Sequence, residues 1–345
     1  MKLELRSVRI KNIGPIDDIK IDFFDATGKT LAVCVIGGAN GSGKTTMLEV
    51  IASLAEILQT GKAGAFLRSK PNGYAQADLL IDKYDFSIFF GTLPDNAELK
   101  EEHCGEQVEG VTFVSTPLYA DLHQRIVSHP SSGAYNSSAW NAAGWNEGNP
   151  SPRQLSEIYW TANEWVPSLI YFPHSRSLEP VSGQQIQKEE ANYRLIHRFQ
   201  TVRRFPGSLT SYLIYLDYAD PERFSDVRQF LNELNFDGKT FHIDRKKLDV
   251  IVKTANGHEH SLHELSSGEQ NLLIIFTELR RKLLPGSIVL IDEIENSLHP
   301  AYQHRLAQGL LALQREVSYQ LIVTTHAPAF VEIFGKENTR ILTPF

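Results

Sequence analysis

Residues 31–46 read LAVCVIGGANGSGKTT. The apolar run Leu31–Ile36 has the length and continuity of a strand buried on both faces. Gly38–Thr45, GANGSGKT, then fits G-x-x-x-x-G-K-[ST] in full. Met47, Ile51, Leu54 and Leu58 follow on one face of a helix. A strand, a glycine loop and a helix in this order suit phosphate. Glycines remove Cβ atoms and permit positive φ, backbone N–H groups converge, and the helix N-terminus favours an anion. This reading assigns Gly38, Ala39, Asn40, Gly41, Ser42, Gly43, Lys44, Thr45 and Thr46 to a nucleotide. Lys44 is expected at the β- and γ-phosphates and the Thr45 hydroxyl at Mg²⁺, with ATP and Mg²⁺ as cofactors.

Downstream, IVLIDE (Ile288–Glu293) is an apolar strand ending in two acids. Alone, that is as consistent with a solvated strand end. Beside a phosphate loop, a strand tip is where a Mg²⁺-binding carboxylate belongs. Asp292 takes that role, and Glu293, on the other face, becomes the general base that polarises the attacking water.

LSSGEQ, Leu265–Gln270, lies just ahead of that strand and resembles the signature motif of ABC ATPases. The resemblance implies that Ser266, Ser267, Gly268 and Glu269 act in trans, facing outward toward the γ-phosphate held by a second copy. IENSLHP places Asn296–His299 at the D-loop, which crosses the dimer interface in that family. TTHAP places His326 as the switch histidine. RIKNIGPI, Arg9–Ile16, resembles the first strands of the DNA-repair and chromosome-maintenance branch, with Lys11, Asn12 and Ile13 beside the base. No Q-loop glutamine is evident; YFPHSR, Tyr171–Arg176, sits at that place and offers His174. The likeness spans roughly 1–60, 165–180 and 240–345. It implies an α/β P-loop NTPase of ABC type, with a RecA-like mixed-sheet core lobe (about 1–125, 165–180 and 285–345) and a second, mainly helical lobe (about 185–284). An insertion covers about 126–155.

The ending DEIENSLHP…THAP looks most like compact ABC-type ATPases grouped with the OLD family. No sustained heptads separate Lys44 from Ser266, and the residues after His326 are too few for a Toprim nuclease. By analogy, a second copy of the chain in a head-to-tail dimer and a separate effector, such as a nuclease or toxin in an anti-phage system, are the expected partners. A slow nucleotide-gated scaffold and a transporter's energy-coupling subunit are the alternatives.

Elsewhere the reading is coarser. Two strands flank the Asn12–Asp18 turn, Asp78–Phe90 reads as a hairpin around Asp82–Asp85, and Leu169–Phe172 as a strand. Tyr193–Leu234 reads as mainly helical, and Phe241–Thr254 as strands around a charged turn. Helices are expected from Leu272 to Leu283 and from Pro300 to Glu316, and a strand at Leu321–Thr325. Cys34 and Cys104 form no disulfide framework, and no apolar run approaches the ~20 residues of a membrane span. A cytoplasmic protein is expected. The net charge of −7 argues against a surface coated for nucleic acid. A local patch of Arg194, Arg198, Arg203, Arg204 and Arg280–Lys282 stays open, as does the bland reading of solvated faces. Trp140 and Trp145, in the Ser/Asn/Gly/Pro-rich stretch 130–152, either pin that loop to the body or bind a partner.

Overall fold

A computed structural model describes residues 1–108, 112–127, 166–181, 193–202, 207–233 and 238–342. The expectations for Trp140, Trp145, Arg203, Arg204 and most of the 126–155 insertion lie outside these residues.

Among the described residues, two six-stranded sheets carry the fold. The first has the order β2-β1-β4-β5-β6-β7, formed by Ile16–Asp22, Leu3–Ile13, Tyr74–Ile81, Tyr84–Gly91, Glu102–Gln107 and Thr112–Ser115. It is antiparallel except between β5 and β6. The second has the order β15-β3-β14-β13-β8-β9, formed by Thr339–Leu342, Val33–Gly38, Gln320–Thr324, Ile288–Ile291, Leu169–Phe172 and Ile196–Arg198. Every neighbouring pair in it is parallel.

A parallel sheet must be covered on both faces, and alternation along its strands does this. Cys34 and Ile36 of β3, with Ile288 and Leu290 of β13, enter one core; Val33, Val35, Val289 and Ile291 enter the other. Helix α1 (Lys44–Thr60) fills the first core, between the two sheets, through Met47, Ile51, Leu54 and Leu58. Two short helices, α2 (Ala65–Arg68) and α3 (Pro117–Val127), close its flank. The other core holds α4 (Leu209–Ala219), α5 (Pro221–Glu233), α6 (Ser267–Lys282), α7 (Pro300–Val317) and α8 (Pro328–Phe334). A small antiparallel sheet, β10-β11-β12 (Thr240–Asp244, Asp249–Lys253, Glu259–Ser261), packs beside α4 and α5.

Several local expectations tighten. The β1–β2 turn is only Gly14-Pro15, because Ile13 pairs with Ile16. The β4–β5 hairpin turns on Asp82-Lys83, with Ile81 opposite Tyr84. Tyr193–Leu234 is not helical at its start: Ile196–Arg198 is a strand, and among the described residues of this stretch the first helix starts at Leu209. Edge pairing with β8 decides this, a contact between segments that helix propensity cannot register. Helix α6 also begins earlier than its apolar periodicity suggests, at Ser267.

Candidate nucleotide site

All the motifs at strand ends gather on one edge of the parallel sheet, because β3, β14, β13 and β8 are neighbours and run the same way. That carboxyl edge is where open α/β sheets bind ligands. From β3 the chain enters the glycine loop and then α1, whose N-cap is Gly43 in the left-handed region at φ 89. A Cβ at Gly43 would lie 2.6 Å from Ile16 Cγ1, so the loop passes directly under the β1–β2 turn. Ala39, Asn40 and Gly41 face solvent. Ser42 Oγ is buried and has no hydrogen-bond partner among the described residues. Lys44 is 5% exposed, and its ammonium donates to the carbonyls of Gly38 (3.0 Å) and Ala39 (2.9 Å). Burial lowers its pKa, opposed by the charges of Asp292, Glu293 and Glu295. An orphaned hydroxyl, a cradle that a Cβ would fill and a desolvated ammonium fit a phosphate group.

Thr45 Oγ1 donates to Asp292 Oδ2 at 2.8 Å, joining the start of α1 to the end of β13. Asp292 is fully buried. Its Oδ1 accepts from Thr324 Oγ1 at 2.6 Å, and the same hydroxyl accepts from the Glu293 N–H at 2.8 Å. His174 Nδ1, from the segment expected to hold a Q-loop, lies 3.6 Å from Asp292 Oδ2. Among the described residues no group of three or more His, Cys, Asp or Glu side chains forms a metal cluster. The Thr45 hydroxyl and Asp292 carboxylate are hard oxygen donors that could hold Mg²⁺ alongside phosphate and water.

Glu293 takes φ 43, a left-handed conformation uncommon for a non-glycine residue. Its backbone carbonyl accepts from Arg176 Nη2 at 3.0 Å. His326 follows β14 with its side chain exposed. The loop carrying it is held by Glu295, whose two oxygens accept from the His326 N–H (2.6 Å) and the Thr325 hydroxyl (2.7 Å). Thr46 lies beneath Gly14, whose Cβ would stand 3.3 Å from its methyl group. Asn12, at φ 54, is exposed near the end of β1, Lys11 is half-buried beside it, and Ile13 is buried.

Ser266–Glu269 forms a complete capping box at the start of α6. Ser266 N–H and Oγ both donate to Glu269 Oε2, at 3.1 and 2.8 Å, and the Lys239 ammonium contacts Glu269 Oε1. Ser266 and Ser267 are exposed. Gly268 departs from the expected outward orientation: it is buried, and a Cβ there would lie 2.8 Å from Ser297 O. Its job within the chain is to let α6 approach the turn after the acids. No hydrogen bond or ion pair among the described residues joins Ser266–Glu269 to Gly38–Thr46.

Among the described residues of the basic cluster, several cations have acidic partners. Arg198 pairs with Glu49 and Glu56, Arg280 with Glu316, and Arg281 and Lys282 with Glu278. Arg194 is exposed. A cavity of about 510 Å³ near these groups, lined by Phe199, Leu209 and Leu248 among others, lies away from the glycine loop. Sequence reasoning passed over Arg176, Thr324, Glu295, Asn271 and Lys239. Only Thr324, a hydroxyl at the tip of an apolar strand, carried a local signal.

Fold and site together define a P-loop ATPase with an ABC-type fold. Within that class the chain belongs to the family described as "AAA domain, putative AbiEii toxin, Type IV TA system", whose profile matches residues 159–332. A second profile, "AAA domain", matches residues 7–103. The Retron Vc95 probable ATPase of Vibrio cholerae serotype O1 biovar El Tor is 25% identical over 385 aligned positions, covering 97% of this chain and 73% of that protein. The Retron Ec83 probable ATPase of Escherichia coli is 33% identical over 111 residues, 29% of this chain and 20% of that one. An Smc head bound to the C-winged helix domain of ScpA aligns at 14% identity over 96% of this chain and 92% of its own, with a TM-score of 0.46. The protein is an ATPase that binds nucleotide. No helix among the described residues is long and apolar enough to cross a membrane.

Proposed function

We propose that the ATPase works as a head-to-tail dimer closed around ATP, and that this closure regulates a separate effector protein. Gly38–Thr46 hold the phosphates, with Lys44 released from its own loop carbonyls to the β- and γ-phosphates. Thr45 and Asp292 hold Mg²⁺, which supplies charge neutralisation at the phosphates when bound. Glu293 accepts a proton from the attacking water at its carboxylate, and His326 donates a hydrogen bond at the γ-phosphate position. Asn12 lies toward the base.

The observation that carries the dimer is the state of the signature segment. Ser266 and Ser267 form an exposed, fully capped helix start with no bond to the chain's own glycine loop. Exposed hydroxyls at a helix N-terminus suit an anion presented by another molecule. The relatives named as retron ATPases, and the toxin and TA system in the family description, support an effector partner in a defence system.

Glu293→Gln keeps the shape of the base and removes its basicity. ATP turnover is expected to stop while ATP stays bound and the protein sediments as a dimer; ADP gives no such shift. Wild-type turnover by Glu293→Gln would place the base elsewhere. A strictly monomeric ATP-bound variant at high concentration would remove the shared site.

A further inference from the structure

Arg176 follows β8 and is 9% exposed. Its guanidinium is engaged on every side. Nε donates to Asn271 Oδ1 at 2.7 Å; Nη1 donates to the carbonyls of Phe172 (3.4 Å), Pro173 (2.7 Å) and Asp292 (2.6 Å); Nη2 donates to the carbonyl of Glu293. Burial pulls its pKa down to about 10, opposed first by the charge of Asp292, so it is a cation at neutral pH. All five acceptors are neutral oxygens. Burying a cation is costly, and the charge of Asp292 offsets part of that cost. What a guanidinium offers and an apolar side chain does not is a rigid planar fork that fixes several groups relative to one another.

The groups it fixes belong to three segments. One is its own loop. The second is the peptide after the two acids, where Glu293 sits in the left-handed region. Glu293 is held from both sides, its N–H by Thr324 and its carbonyl by Arg176. The third is α6, through Asn271, which is 1% exposed and whose Nδ2 donates to Asn296 O at 3.0 Å. Asn296 Nδ2 in turn donates to His174 O at 2.7 Å, and the Leu178 N–H donates to Gln270 Oε1 at 2.9 Å. The helix that presents Ser266 and Ser267 is thereby bonded to the backbone that aims Glu293.

We infer that Arg176 is a positioning residue that couples the signature helix to the general base within one chain. Engagement of Ser266 and Ser267 by a second copy's nucleotide then shifts α6, and through Asn271 and Arg176 re-aims Glu293 at the chain's own nucleotide. Chains of hydrogen bonds between rigid elements are one carrier of such coupling, and these bonds join the two segments. The inference rests on the roles proposed above for Glu293 and the signature segment.

The test compares Arg176→Met, Arg176→Lys, Asn271→Ala and the Arg176→Met/Asn271→Ala pair, measuring ATP affinity by calorimetry and the hydrolysis rate at saturating ATP. Asn271→Ala removes one of five acceptors and leaves the helix cap intact, so it stays informative even if Arg176→Met folds poorly. ATP affinity is expected to hold in every variant. A misplaced catalytic group costs about 100-fold per ångström, so the rate should fall about 10-fold in Asn271→Ala and about 100-fold in Arg176→Met. Arg176→Lys, which keeps the charge and loses the fork, should resemble Arg176→Met. The pair should be no slower than Arg176→Met alone, since both break one chain of bonds. Wild-type rates in Asn271→Ala and Arg176→Lys would overturn the coupling. So would parallel losses of ATP affinity and melting temperature with no selective loss of rate, which mark a purely structural arginine. Glu293→Gln is the control: if it is dead and the Arg176 variants are not, the coupling fails and the base stands.

Discussion

His197 shows how a single side chain can carry the pH dependence of the fold. It lies half-buried on β9. Burial is the main cause that lowers its pKa to about 3, and Lys282, Arg194 and Arg281 push the same way against Glu278. An unfolded histidine titrates near 6.5. Between those values the unfolded chain binds a proton that the native state refuses, so stability falls as pH drops below about 6.5. The slope is at most ~1.4 kcal/mol per pH unit. Denaturant titrations at pH 7.5 and pH 5 should show wild type losing about 1–2 kcal/mol more than His197→Gln. Equal losses would assign the acid sensitivity to other groups. At this scale much of the site is legible in the sequence: Lys44, Thr45, Asp292 and Glu293 each sit in a contiguous motif. Arg176 is not, because its meaning lies in acceptors at positions 271, 292 and 293, far from it in the chain.

Among the elements, α7 sets local propensity against packing at Gly309. This glycine sits inside the helix, and by helix propensity alone Gly309→Ala should stabilise by ~1 kcal/mol. Its Cβ, however, would lie 2.5 Å from Cζ of Phe276, a fully buried ring on α6. Overpacking of that kind costs about 1–3 kcal/mol, so the substitution should lower the melting temperature. A rise would show that the ring yields. The helices α1 and α7 are readable because their apolar positions recur at helical spacing and α7 opens on Pro300. Strand β9 is not: three residues supply too little pattern, and only pairing with β8 makes them a strand. The same holds for the order of the sheets, which depends on which segments meet.

For the whole molecule, the proposed shared site makes a prediction that no single head can satisfy. Lys44→Ala removes the ammonium from one half of the site and should abolish ATP binding by calorimetry. The other half is best blocked at Ser267, which is exposed, rather than at Gly268, where any Cβ would strike Ser297 O within the same chain. Ser267→Glu should place a carboxylate against the partner's phosphates and stop turnover without disturbing the fold. Mixing the two inactive variants yields dimers with one doubly damaged site and one intact site. Partial recovery of hydrolysis is expected on mixing. Normal hydrolysis by Ser267→Glu alone would contradict a site completed in trans.

By itself the sequence showed the phosphate loop as a complete local pattern, and it offered a strand ending in two acids, a segment resembling a signature motif and a histidine after a strand as expectations. The tertiary structure alone decided how those pieces are aimed. The Thr45–Asp292 bond, the Thr324 hydroxyl shared by Asp292 and Glu293, and the Arg176 fork each join segments that only the parallel sheet and its covering helices bring together. Hydrogen bonds act over about 3 Å, and spacing along the chain carries no record of them.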